Sequence, residues 1–343
     1  MKPIMTILAV ILSVVIFACA GSKPRPEEAQ TQTYDAKKYL TAEASGPTQG
    51  EAKRAAMAAL AGIFHSRVRA ETQTRANSYI TEAKDEQFEK QVDQLIQVET
   101  DVQLEGAQIG WVHPDKEAGG FSALAVLDRD QAAGRWRREL ERIESELDAG
   151  TSALPAVKGR LPRLIALNRL AALMGQMALT ESRLSVLGRP AMPYDTDLTA
   201  ILTERQQLLQ QATFFLQING EVADLFSHRL GALITAQGYL LAKSADQAAG
   251  LITGKLYFQP LALDNPDAKF VRALADLSIV DQDTGSEIAA FSENVRKGHM
   301  DENEARRRGI DQLAQQAADK IAQAMGSLGV EAVAKNGTEG QRD

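Results

Sequence analysis

Cysteine is almost absent: Cys19 is the only one in 343 residues. That excludes an intrachain disulfide, so the body must fold by packing alone. Histidine is nearly as scarce. His65, His113, His228 and His299 lie far apart, and no two have the helical or strand spacing of a zinc site. Basic charge is in deficit, with 38 Lys and Arg against 45 Asp and Glu and a net charge of −7. Nucleic acid, which calls for a basic patch, is argued against. The acidic balance also gives no sign of electrostatic attachment to anionic lipid. Catalytic signatures are missing too. There is no Gly-x-Ser-x-Gly elbow, and Gly106-Ala-Gln-Ile-Gly110 lacks the Gly-Lys-Ser/Thr ending of a phosphate loop. Asp281, Asp283 and Glu287 lack the spaced ligands and glycine of a calcium loop, so they read as turn chemistry. The sequence therefore predicts no cofactor, no metal and no catalytic residue.

What is present begins at the N-terminus. Lys2 is the only charge ahead of an apolar run, Ile4 to Ala18, broken by Thr6 and Ser13. The run has the length of a signal-peptide core and falls short of the roughly 20 residues a membrane-spanning helix needs. It ends in Ile16-Phe17-Ala18-Cys19. A branched aliphatic residue three before the cysteine, with a small residue just before it, resembles the bacterial lipobox. The expected chemistry puts a diacylglyceryl group on the Cys19 sulfur, cuts between Ala18 and Cys19, and acylates the new amine. One acyl chain binds a membrane marginally and two hold it stably, at about 0.8 kcal/mol per buried methylene. Ala20 follows where an Asp would resemble an inner-membrane retention signal, so the expected address is the periplasmic face of the outer membrane. In a source that is not Gram-negative it would be the cell membrane.

Removing residues 1–18 leaves chain enough for two ordinary domains, and the 44% apolar content is that of a folded protein. Residues 19–33 read as the lipidated cysteine and a flexible tether with Pro24 and Pro26. Residues 34–148 read as a first α/β domain. Tyr39–Ala44 is a strand, Ser45-Gly46-Pro47-Thr48 a turn, and a helix with an alanine-dominated stripe (Ala52, Ala55, Ala56, Ala59, Leu60, Ile63) runs from Gln49 to about Lys84. Phe88, Val92 and Leu95 continue in helical spacing. The alternation Val98, Thr100, Val102, Leu104, resuming as Ala107, Ile109, Trp111, predicts one long strand with a bulge at Gly106. Gly119-Gly120 makes a turn, Phe121 to Leu127 a second strand, and Asp130 caps a helix carrying Trp136, Leu140, Ile143 and Leu147. Both tryptophans are expected in the first core.

Residues 149–211 carry few strand signals and read as a helical insert, broken by Pro190 and Pro193. Residues 212–328 read as a second α/β domain. Phe214, Leu216 and Ile218 alternate, a helix ends before Gly238, and Tyr239–Ala242 is a short strand. Strands at about 249–261, 269–281 and 286–297 follow, with Gln282-Asp283-Thr284-Gly285 as the last hairpin turn. Asp301 with Glu304 is a relative of the capping box, and the final helix repeats Ile310, Leu313, Ala314, Ala317 and Ile321. Arg306-Arg307-Arg308 near its start reads as a solvated face. Residues 329–343 read as a disordered tail. The fold class expected is α+β, two small α/β domains separated by helices.

The stretch Tyr39-Leu-Thr-Ala-Glu-Ala-Ser-Gly-Pro-Thr-Gln-Gly-Glu-Ala-Lys-Arg-Ala-Ala resembles the start of the bacterial LPP-twenty lipoprotein domain, an extended segment and turn before a helix opening with an acidic-Ala pair, here Glu51-Ala52. Trp111 and Phe121-Ser-Ala-Leu-Ala-Val-Leu-Asp128 resemble its later strands, although Phe121-Ser122-Ala123-Leu124 replaces the family's usual tyrosine. The resemblance covers about residues 34–148 and implies a lipoprotein with no cofactor or catalytic residue. The second domain is similar in its order of elements to small α/β domains of envelope-assembly lipoproteins, an analogy of fold alone.

Together these observations predict a membrane-anchored, periplasm-facing lipoprotein with a non-enzymatic interaction or structural role. Its partners would be the membrane, through lipidated Cys19, and envelope proteins or cell wall. Two alternatives stay open. One is a subunit of an oligomeric envelope assembly or secretion pore, including a homo-oligomer. The other is an enzyme acting on cell wall or glycan.

Overall fold

A computed structural model describes residues 33–83, 85–99, 104–115, 119–194, 198–261 and 268–326. The leader, Ala18 and Cys19, the tether up to Gln32 and the tail after Gly326 lie outside the described residues. The expected α+β class is what the described residues have: helices and two separate sheets, with no barrel.

The first layer is a three-stranded antiparallel sheet in the order β1-β3-β2, with β1 at Tyr39–Gly46, β2 at Ala107–Asp115 and β3 at Gly120–Asp128. Alternation decides its faces. Leu40 and Ala42 of β1 are buried beside Ala123, Ala125 and Leu127 of β3. Helix α1 (Gln49–Ala83) covers that face with Ala52, Ala56, Leu60, Phe64 and Val68, one residue per turn. The alanines at its start face alanines in the sheet, so the two backbones can approach closely. Thr48 and Glu51 start the helix with a reciprocal capping box: Glu51 N–H donates to Thr48 Oγ1 at 3.2 Å, and Thr48 N–H to Glu51 Oε2 at 3.1 Å.

Three expectations from the sequence differ from the structure. The long strand from Val98 is not formed. Helix α2 (Glu86–Glu99) takes Val98, while Thr100 and Val102 lie outside the described residues and Leu104 precedes the turn into β2. Burial of Phe88, Val92 and Ile96 every fourth residue keeps that segment helical to Glu99. The register slip lies between Ile109 and Trp111, so the bulge is at Gly110 rather than Gly106. A side chain at Gly110 would collide with the Tyr34 ring, whose Cε2 would lie 2.7 Å from a Cβ. The cap of helix α3 (Arg129–Ala153) is Asp128, not Asp130; its carboxylate accepts from the N–H groups of Asp130 and Gln131, both at 3.0 Å. The residue that closes β3 is the one placed to cap.

The second layer is a five-stranded mixed sheet, β5-β4-β6-β7-β8. Strands β4 (Thr213–Gly220), β5 (Leu240–Leu241) and β6 (Gly250–Leu261) run parallel. Strands β7 (Lys269–Asp281) and β8 (Glu287–His299) extend the sheet antiparallel. The α6 helix (Ala223–Ala236) and the α7 helix (Glu302–Ala324) cover one face. Phe226, Leu230, Ile310, Leu313 and Ala317 pack there on Ile252, Leu256, Ala273, Ala275 and Ile279. Asp301 caps α7 through Asn303 and Glu304 N–H, but Glu304 turns to Arg307 and Arg308 and leaves the box half made.

Among the described residues of 149–211, helix is found in the end of α3, α4 (Arg160–Val186) and α5 (Leu198–Gln211), with Pro190 and Pro193 in the non-helical stretch after α4. Helix α4 is buried around most of its circumference. Its first turn (Leu161, Leu164, Ile165) belongs to the core under the five-stranded sheet, and Leu167, Leu170, Met174 and Met177 belong to the core under the three-stranded sheet. Helix α5 is shared in the same way, with Ile201 and Leu202 in one core and Leu209 in the other.

Candidate functional site

Among the described residues no group of three His, Cys, Asp or Glu converges to hold a metal. No helix among them is long and apolar enough to cross a membrane. The predicted lipidation and cleavage residues, Cys19 and Ala18, lie outside the described residues. The other residues singled out from the sequence fall in structural roles. Trp136 stacks on Phe64 with ring centroids 5.3 Å apart, against the first core. Trp111 instead stacks on His113, at 4.7 Å, on the sheet face away from α1. Arg306 pairs with Glu221 and Glu302, and Arg307 and Arg308 both pair with Glu304. Those two arginines hold the Glu304 carboxyl down to about 2.

The Asp281–Asp283 turn does more than shape a hairpin. Asp281 is fully buried and accepts from Thr284 N–H at 2.9 Å, Thr284 Oγ at 2.7 Å and Leu161 N–H at 3.2 Å. Asp283 accepts from Arg160 N–H at 2.9 Å and from its guanidinium at 2.7 and 2.8 Å. The two carboxylates thus cap α4 from another element, where its unpaired N–H groups and dipole favour anions. Gly159 at the cap has φ +90, and a Cβ there would lie 2.5 Å from Asp281 Oδ2, so only glycine fits.

A buried polar network completes the junction, and no sequence pattern had pointed to it. Arg205 on α5 and Asp85 ahead of α2 are ion-paired with side chains 1% and 0% exposed. Asp85 also caps α2 through Gln87 and Phe88 N–H, at 3.1 and 3.0 Å. Arg205 Nε donates to Asn168 Oδ1 at 2.7 Å, and Asn168 Nδ2 donates to the Met325 carbonyl at 2.7 Å. Gln87 Nε2 reaches the Gln237 carbonyl at 3.0 Å. Five segments, the ends of α6 and α7 among them, are therefore tied at one buried point. The only local signal was a polar residue on an apolar helix face, Asn168 beside Leu167 and Leu170, and Arg205 between Leu202 and Leu209.

Two open surfaces stand out among the described residues. A groove of about 270 Å³ between α1 and α2 is lined by Gln73, Ala76, Asn77, Glu89, Val92 and Asp93. Its carboxylates, Glu89 and Asp93, share one helix face and do not oppose each other across the cleft as glycoside hydrolysis needs. Asp93 accepts from Gln73 at 3.3 Å. The larger feature is the uncovered face of the five-stranded sheet, where a concavity of about 480 Å³ spans β6, β7 and β8. Its floor is a polar ladder. Thr253 and Ser278 are 2.9 Å apart, and Asp276 accepts from Tyr257 and Ser292 hydroxyls. Beside it β8, 13 residues long, is the outer strand of the sheet, and among the described residues one row of its backbone groups has no strand partner.

No family model matches the chain, and no curated protein does. The LPP-twenty resemblance stays a resemblance. Solved structures similar to it include a minor lipoprotein from Acinetobacter baumannii, 19% identical, covering 33% of this chain and 94% of that one with a TM-score of 0.27. A secreted protein from Helicobacter pylori is 15% identical over 83% of this chain and 97% of its own, with a TM-score of 0.34. A lipoprotein from Neisseria meningitidis is 12% identical over 33% and 99%, with a TM-score of 0.23. At TM-scores this low the likenesses assign neither family nor function.

Proposed function

We propose that this chain is an exported lipoprotein, cut before Cys19 and held by lipid on that sulfur at the periplasmic face of the outer membrane, where its body works by binding rather than catalysis. The observation that carries the reading is the placement of the sole cysteine directly after Ile16-Phe17-Ala18, at the end of the apolar run. Ala20 in place of Asp favours the outer membrane. The division at 34–148, 149–211 and 212–328 belongs to the same proposal.

The binding surface is the open face and free edge of the five-stranded sheet. An extended partner segment can add to β8 through main-chain hydrogen bonds, with side chains read by the adjoining polar ladder. A second copy pairing along the same edge is the oligomeric version. A photoreactive residue at exposed Ser292 tests this in intact envelopes, with exposed Gln315 on α7 as control. Crosslinks to one defined partner from Ser292 and none from Gln315 are expected. Free monomer from both positions contradicts the reading.

A further inference from the structure

The acidic balance of the whole chain hides one strongly basic end. At the same edge of the first layer β1 begins, β3 ends, α3 begins and α4 ends. Tyr39 pairs with Asp128, and Arg129 N–H donates to the Lys38 carbonyl at 2.9 Å. Lys37 and Lys38 are exposed there, as are Arg67 on α1 and Arg137 on α3. The ion pair at this end is Arg189 with Asp130, at 2.7 Å. Arg129 lies among them. Its guanidinium donates to the Ala36 carbonyl at 3.1 Å and the Val186 carbonyl at 3.3 Å, fixing the incoming chain to the end of α4. Burial, and then the like charges of Arg189 and Arg67, hold its pKa below the usual guanidinium value. The fields of Arg189, Arg137 and Lys38 all reach Asp130. Among the described residues of this end, six cations stand with three carboxylates, Asp35, Asp128 and Asp130, of which Asp128 is committed to capping α3, while Glu71 and Glu141 lie one turn further along from Arg67 and Arg137.

This is also the end at which the chain arrives from Cys19. Residues 20–32 separate the cysteine from the first described residue, and fully extended that stretch reaches at most about 50 Å. Resting on the lipid-anchor reading, we propose that the basic end formed by Lys37, Lys38, Arg67, Arg129, Arg137 and Arg189 docks on the anionic phospholipid headgroups of the leaflet that holds the anchor. The tether keeps the patch near that surface, so weak attraction suffices. A lysine or arginine close to an anionic leaflet strengthens binding roughly fivefold. The attraction fades beyond a Debye length of about 8 Å at physiological salt, so the acidic remainder of the body is felt little. This runs against the expectation from net charge, which averages over both ends.

The chain from Ala20 onward, carrying neither leader nor lipid, keeps every described residue. It should sediment with vesicles of phosphatidylethanolamine and phosphatidylglycerol, not with vesicles of phosphatidylcholine, and let go as salt rises. The triple variant Lys37→Glu, Lys38→Glu, Arg67→Glu should bind at least about a hundredfold more weakly with an unchanged circular dichroism spectrum. Lys320→Glu, exposed on α7 of the other layer, should bind as the parent does. Equal binding to both vesicle types, or binding that the triple variant keeps, overturns the proposal. Capture of inorganic phosphate without vesicle binding assigns the patch to a soluble anion and overturns it too. No lipid on Cys19 enters this experiment, so its failure leaves the anchor reading standing. A bare Cys19 in the native protein fails the anchor reading and leaves the vesicle result intact.

Discussion

Replacing Arg205 by methionine should destabilise the body by about 3–5 kcal/mol, the cost of leaving one half of a buried ion pair without its partner. The magnitude follows from the surroundings. The Asp85 side chain is 0% exposed, so water cannot take the place of the lost guanidinium. Two backbone donors, Gln87 and Phe88 N–H, would remain on the carboxylate, and Asn168 Oδ1 would lose its donor at 2.7 Å. Against a typical total of about 5–15 kcal/mol, that is a large fraction. Asp85→Ala should cost a similar amount plus about 1 kcal/mol for the α2 cap. The double variant should cost well under the sum, because neither charge is then stranded. Urea unfolding of the chain from Ala20 measures all three. Both tryptophans, Trp111 and Trp136, lie in the three-stranded layer or on its core, so their fluorescence reports that layer while far-ultraviolet circular dichroism reports the whole. The two signals should coincide in the parent and separate in Arg205→Met, since the network ties both cores. A loss under about 1 kcal/mol, or strict additivity in the double variant, would refute the reasoning.

Three substitutions elsewhere test other parts of the structure. Asp281→Ala strips the acceptor from Leu161 N–H and both Thr284 donors and should cost about 2–3 kcal/mol in urea, and a change near zero would mean α4 is capped by other means. Val222 is β-branched yet has φ 57 ahead of α6, so Val222→Gly should raise the thermal midpoint by the equivalent of about 1 kcal/mol, and a lowered midpoint would contradict the strain. Burial on α4 holds the Glu181 carboxyl above its usual range, with Arg75 opposing and Glu144 adding to the rise. The folded state therefore binds that proton more tightly than the unfolded chain, and the stability gained is full below the ordinary glutamate range and lost as pH rises through the folded value. Glu181→Gln should flatten that fall in urea midpoints taken from acid to neutral pH, whereas an unchanged slope would assign it to other groups.

Local pattern was enough where one period ruled a segment. Strands β6, β7 and β8 were legible because their alternation holds over most of their length, with one register shift where β7 meets β8, and Asp283-Thr284-Gly285 marks the turn. The alanine stripe of α1 and the face of α7 were legible for the same reason. The segment after Phe88 misled because two periods compete there. Val98 to Leu104 alternates, but Phe88, Val92 and Ile96 had already committed the chain to a helix. Asp128 and Asp130 are both good capping residues, and only the point where β3 ends decides between them. The junction was not legible, because Arg205 meets partners 120 and 37 residues away. Nor was the basic end, which gathers residues from two helices and two connecting segments and vanishes in a net charge of −7.

Where the molecule lives, and so which surfaces it can meet, rests on residue 19. Intact-mass and peptide mass spectrometry of the protein extracted from its native membranes tests this directly. The N-terminal peptide should begin at Cys19 and carry the added mass of two or three acyl chains. A bare Cys19, or residues 1–18 still attached, would contradict the account.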